Sequence, residues 1–141
     1  MQLHRLLRYI WAAPASAVGL RLASPALLVG AANFARNSGV LEVTLRTRSL
    51  RASHGSHWLP FAAITFGHIV IAVGPEEQRL LRAHERVHVA QYERLGPLFL
   101  LAYAAVSLLQ LVRGRRPYLD NRFELEARHL SVPSLPTASE A

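Results

Sequence analysis

The sequence predicts an α+β fold, mostly helical, in which a short β-sheet packs against one central helix. Three observations carry this expectation. Between Gly74-Pro75 and Gly96-Pro97 lies a stretch, Glu76 to Leu95, with no Gly or Pro, the punctuation of a single helix. Leu41, Val43 and Leu45 alternate with Glu42, Thr44 and Arg46, the period of a half-buried strand. Residues 61–73 are rich in β-branched side chains, which favour strand.

At 141 residues the chain reads as one domain over 1–130, followed by a disordered tail over 131–141 in which Pro, Ser and Thr dominate. Charged residues make up 18% against 51% hydrophobic, lean for a surface facing only water. The net charge is +7, and all sixteen basic residues are Arg. They are spread along the chain without an interleaved aromatic array, so no nucleic-acid partner is expected, and an anionic lipid surface fits the charge at least as well. With no Cys, disulfides and thiolate metal sites are excluded. Any metal must be held by His and carboxylates.

From the N-terminus, residues 2–35 are apolar and punctuated by Pro14, Gly19, Pro25 and Gly30. Pro14 and Arg21 interrupt any clean span of about twenty apolar residues. The expectation is two apolar helices, 3–12 and 16–35, packed on the core or lying in a membrane interface. Asn37-Ser38-Gly39 signals a turn into the strand over 40–48. Residues 49–60 read as a loop, with His54 and His57 as surface histidines. In 61–73, Gly67 marks a bulge or a close backbone approach. His68 beside it reads as a satisfied core or edge histidine. Residues 98–112 carry no charge. They are short for a membrane span; a buried and a membrane-embedded helix are both open, with burial against the central helix preferred.

That central helix contains His84-Glu85-Arg86-Val87-His88. Four residues apart on a helix, His84 and His88 project from one face. The spacing allows both to ligate one Zn²⁺ while Glu85 beside them reaches a water at the metal. With seven His and eight Glu in the chain, chance places H-E-x-x-H somewhere in it on the order of 2% of the time. Zinc is inferred from ligand type, and other divalent metals use similar donors. A catalytic zinc usually has three protein ligands plus water. Asp120 or Asn121 suits the cap of a further helix, with Glu124 and Glu126 in its first turns, and either carboxylate is a candidate third ligand.

The two segments resemble the gluzincin group of zinc metallopeptidases, in which H-E-x-x-H on one helix is completed by a Glu on a later one. In several such families the later helix reads E-x-x-A-D. Glu124-Leu125-Glu126-Ala127 matches E-x-x-A, so the resemblance implies His84, His88 and Glu124 as zinc ligands, Glu85 as general base, and a zincin-like fold acting on a peptide or protein substrate. More loosely, the whole chain is similar to small bacterial minimal gluzincins. Arg128 stands where the pattern has Asp, which leaves the usual carboxylate behind a zinc-bound histidine unassigned. The resemblance further implies an edge strand that pairs with extended peptide, placed at 69–73. Tyr92, Tyr103, Tyr118, His68 and His129 are candidate oxyanion stabilisers. The competing expectation is a non-enzymatic metal-binding or membrane-associated scaffold, favoured by the small size and by Arg128.

Overall fold

In a computed structural model that describes residues 2–46 and 62–132, the N-terminal third departs most from expectation. One helix, α1 (Gln2–Leu28), replaces the two expected, and residues 32–37 form a strand, β1 (Ala32–Asn37), not the end of a second helix. Proline normally breaks a helix because it removes an N–H and crowds the carbonyl four residues back. Here Pro14 and Pro25 both lie on the outward side of α1. The Arg21 carbonyl that Pro25 leaves unpaired is taken by Ser24 Oγ at 2.8 Å. On the inward side, Ala12, Ala15, Gly19 and Ala23 recur at helical spacing, and the three alanines are buried. That small-residue stripe lets the helix lie close to the sheet, and packing overrides the weak local propensity.

The remaining elements are β2 (Val40–Leu45), β3 (Ala63–Phe66), β4 (Ile69–Ala72), α2 (Pro75–Leu95), α3 (Leu98–Val112) and α4 (Arg122–Ser131). The mixed α+β class stands, with a four-stranded sheet of order β1-β2-β4-β3. β1 and β2 form a hairpin in register Asn37↔Val40, closed by Ser38 and Gly39 with φ of 47° and 83°. Two successive positive φ values are those of the turn that matches strand twist. β2 and β4 pair in parallel, and β3 and β4 antiparallel.

Residues 61–73 are thus not one strand but a hairpin turning at Gly67-His68. Gly67 has φ of 58°, and a Cβ there would sit 2.7 Å from the Ala12 carbonyl and also collide with Ser16 Oγ. The close approach expected at Gly67 is present, and it is made by α1. Ser16 Oγ donates to Ala12 O at 3.1 Å and accepts from His68 N at 2.9 Å, tying the turn to the helix.

Both faces of the sheet are covered. Ala23, with Ala26 and Leu27 of α1, packs on Val43, Ile69 and Ile71, and Val89 of α2 packs on Val40 and Val70. β2 is therefore not a half-buried strand. Glu42, expected to face water, is 4% exposed and accepts two 2.9 Å bonds from the Arg82 guanidinium. A buried carboxylate is tolerated only when paired in this way. α2 keeps its expected bounds, as does α3. However, the burial expected of α3 reaches only Phe99 and Gln110; most of its leucines are exposed. α4 extends to Ser131, one residue into the expected tail. The rest of the tail from 133, and His54 and His57, lie outside the described residues.

Replacing Gly67 by Ala combines an unfavourable positive φ with a clash against the α1 backbone. We expect Gly67→Ala to cost about 2–4 kcal/mol, read as a lowered midpoint in thermal or urea denaturation.

Candidate metal centre

α2 puts His84 and His88 one turn apart on the side that meets α4. Asn121 caps α4, its side chain accepting from Phe123 N at 3.0 Å. Asn121 is itself anchored by donating to Tyr103 O at 3.1 Å and Ser107 Oγ at 2.8 Å on α3. The cap sets the start of α4, so Glu124 in its first turn enters between the two histidines.

The three side chains converge. Nε2 of His84 lies 3.2 Å from Nε2 of His88 and 3.1 Å from Glu124 Oε2. Nε2 of His88 lies 3.3 Å from Glu124 Oε1. Metal–ligand bonds of about 2.0–2.2 Å at tetrahedral angles separate donor atoms by roughly 3.3–3.5 Å, so the triad matches a shared ion to within a few tenths of an ångström. His88 Nδ1 faces Gln91 Oε1, an obligate acceptor, at 2.8 Å. Nδ1 therefore carries a proton, and in the neutral ring Nε2 turns its lone pair toward His84 and Glu124. Lone pairs this close repel unless a proton or a cation sits among them. The donor set, two imidazoles and one carboxylate, fits Zn²⁺.

Electrostatics agree. Burial alone would raise the Glu124 pKa, but hydrogen bonds from His84, His88 and Tyr103 hold it well below the usual carboxylate range. Tyr103 Oη donates to Glu124 Oε1 at 2.8 Å. Burial would lower the pKa of His88, and its hydrogen bonds to Glu124 and Gln91 outweigh that and raise it. Glu85 is buried at 5% exposure and points to β3, where Thr65 Oγ1 donates to its Oε2 at 2.6 Å. Burial pushes the Glu85 carboxyl up despite the Thr65 bond and the nearby histidines. Tyr118, close to Glu124, is pushed up to about 12 by partial desolvation and by that carboxylate.

Glu126, the alternative ligand, points away. It accepts from Gln91 Nε2 at 2.8 Å and pairs with Arg94 at 2.9 Å. The Arg128 guanidinium donates to the Leu119 carbonyl. The support behind His88 runs through Gln91, fully buried, which also donates to Phe123 O at 3.1 Å, and on to Glu126. Sequence reasoning missed Gln91; its position three residues after His88, on the same helix face, was the available signal.

The remaining sequence candidates separate cleanly. His68 is a buried turn histidine, satisfied on one side only: Nε2 meets Glu93 Oε1 at 3.0 Å and the ring stacks on Tyr9 at 4.0 Å, while Nδ1 has no hydrogen-bond partner among the described residues. Tyr92 is fully buried in the core, and His129 is exposed. Residues 69–73 do not form a sheet edge, because β4 lies between β2 and β3; the edge beside Glu85 is β3. No protein-family model matches the chain, and neither a curated protein nor a solved structure matches it.

Two outcomes follow from this geometry. Gln91→Leu should weaken zinc affinity about 10–100-fold by freeing the His88 ring, measured by chelator competition. The metal-free chain should be most stable in mildly acidic solution. Glu124, with its lowered pKa, contributes stability above the ordinary carboxylate value of about 4.3 that is lost as pH falls. His88, with its raised pKa, contributes stability below the ordinary histidine value of about 6.5 that is lost as pH rises through its folded value. The cost of ionising buried Glu85 adds to the alkaline loss. Added zinc should reverse that loss, since it binds neutral imidazoles; chemical denaturation across pH with and without zinc reads both.

Proposed function

We propose that the chain is a zinc-dependent metallopeptidase of zincin-like architecture, with His84, His88 and Glu124 holding the metal and Glu85 as general base. The observation that carries this reading is the convergence of three ligand atoms at 3.1–3.3 Å beside a buried carboxylate. When bound there, Zn²⁺ supplies Lewis acidity and a water of lowered pKa.

The chain's own residues account for the rest. Glu85 takes a proton from water and returns it to the leaving amine, and a carboxyl raised by burial is closer in pKa to that task than an exposed one. Thr65 holds Oε2 of Glu85, and Oε1 is then the oxygen that would take the proton. Gln91 fixes the His88 tautomer, and Tyr103 fixes Glu124. Tyr118, beside Glu124 and 57% exposed, is placed to donate to a developing oxyanion. β3 has β4 as its one strand neighbour among the described residues, so its free edge suits an extended peptide, which it would bind through backbone hydrogen bonds.

One observation favours a second reading, a metal-stabilised scaffold. The side chains of His84, His88 and Glu124 are only 13%, 9% and 5% exposed, and structural sites are closed whereas catalytic ones keep an open position. The two readings separate in one experiment. For the peptidase, wild type carries about one zinc per chain by elemental analysis, and His84→Ala and Glu124→Ala lose it. Glu85→Gln keeps the zinc and loses hydrolysis of a casein or peptide-library substrate by about 10²–10⁴-fold. Zinc binding with no hydrolysis in the wild type leaves the scaffold, and no zinc in a folded wild type overturns both.

A further inference from the structure

We infer that α1 and α3 together form a docking face for an anionic lipid surface. Among the described residues, sixteen of the twenty-four exposed large hydrophobic side chains lie on these two helices. α1 is inverted relative to an ordinary surface helix, which turns its bulk inward. Its buried side is the small stripe of Ala12, Ala15, Gly19 and Ala23, and Leu3, Leu7, Ile10, Val18 and Leu28 project outward. α3 is two-sided. Phe99 packs toward His88 and Tyr103 bonds Glu124, whereas Leu101, Leu108 and Val112 face away at 69%, 61% and 78% exposure.

The two helices meet through their buried sides, next to these outward faces. Ala12 and Ala15 of α1 share a cluster with Phe99, and the Trp11 ring lies against Gly96, just before α3. Soluble monomers rarely expose a contiguous apolar patch beyond a few hundred Å².

Charge selects the occupant. Arg21 sits within the outward side of α1, and Arg113 and Arg115 directly follow α3. All three are exposed and make no ion pair among the described residues. Long arginine stems lie along apolar surface and carry the guanidinium to lipid headgroups. Trp11 and Tyr118 are exposed amphipathic aromatics of the kind that settle at that depth. A second copy of the chain would set a +7 molecule against another +7 molecule and these arginines against their own equivalents. Anionic lipid complements them. Among the described residues, no single helix is long and apolar enough to cross a membrane. The bent pair of α2 and α3 passes by composition, but α2 buries Glu85, His88 and Gln91 against protein partners. The chain therefore lies on the surface and does not span it. α3 then stands between the lipid and the metal centre.

The test is flotation of the full chain with vesicles of phosphatidylcholine alone and of phosphatidylcholine mixed equally with phosphatidylglycerol. Wild type should float with the anionic vesicles, less so as salt rises. The pair Leu101→Glu and Leu108→Glu, at exposed positions, should reduce binding at least about tenfold with an unchanged circular dichroism spectrum. The pair Arg113→Gln and Arg115→Gln should weaken binding to anionic vesicles and flatten its salt dependence. A His84→Ala variant should float as wild type does, because the inference does not rest on the metallopeptidase reading. Three results overturn it: a folded wild type that stays with the aqueous phase, flotation unchanged in both variant pairs, or a discrete dimer in solution that the leucine variants dissociate.

Discussion

The buried polar side of α2 is the constraint around which the other elements are arranged. Glu85, His88 and Gln91 sit at 5%, 7% and 0% exposure, and polar groups removed from water must find partners or cost several kcal/mol each. Each neighbour supplies one. β3 brings Thr65 to Glu85, α4 brings Glu124 to His84 and His88, and the Phe123 carbonyl with Glu126 answers Gln91. α3 holds α4 in place through Tyr103 and Ser107. Stability and chemistry therefore use the same contacts.

A second carboxylate shows the same logic without chemistry. Glu42, on the α2 side of the sheet, is neutralised by Arg82 and approached by Arg86, which locks α2 in register against β2. Arg86 also donates to the Asn37 carbonyl at 2.7 Å, reaching the hairpin that precedes β2. The residue between His84-Glu85 and His88 thus anchors the helix to the sheet while its neighbours face α4. The two sides of H-E-x-x-H have separate work.

How much was legible depended on whether a signal was local. Pro75, Gly96 and the uninterrupted run between them delimit α2 because caps and stops act within one turn. The start of α4 was legible in the same way to within one residue, Asp120 or Asn121, while the choice of Glu124 over Glu126 rested on the resemblance and not on spacing. The N-terminal third was misread because propensity and punctuation argue against a helix through Pro14 and Pro25, and Ala-Asn-Phe-Ala-Arg-Asn over 32–37 has no alternation to mark it as a strand. Its Asn37-Ser38-Gly39 turn beside an alternating run was the usable hairpin signal. Gly67 was recognised as a tight place, but the sequence does not say whether the crowding comes from a bulge or from a helix fifty residues away.

What the sequence determined by itself is the identity and local geometry of the two candidate ligands on α2. His84 and His88 face the same way on any regular helix, and Glu85 is turned from them by one residue's rotation. The tertiary structure alone decided which carboxylate of α4 lies beside them and that β4, not β3, takes the inner place in the sheet. Those outcomes depend on contacts between residues 20 to 40 positions apart, and helix periodicity carries no information across such distances. Tertiary structure also decided that the bulk of α1 points outward. A helix of mixed small and large apolar residues has no preferred side until something packs on it. The sheet accepted the side where Ala12, Ala15, Gly19 and Ala23 allow close approach.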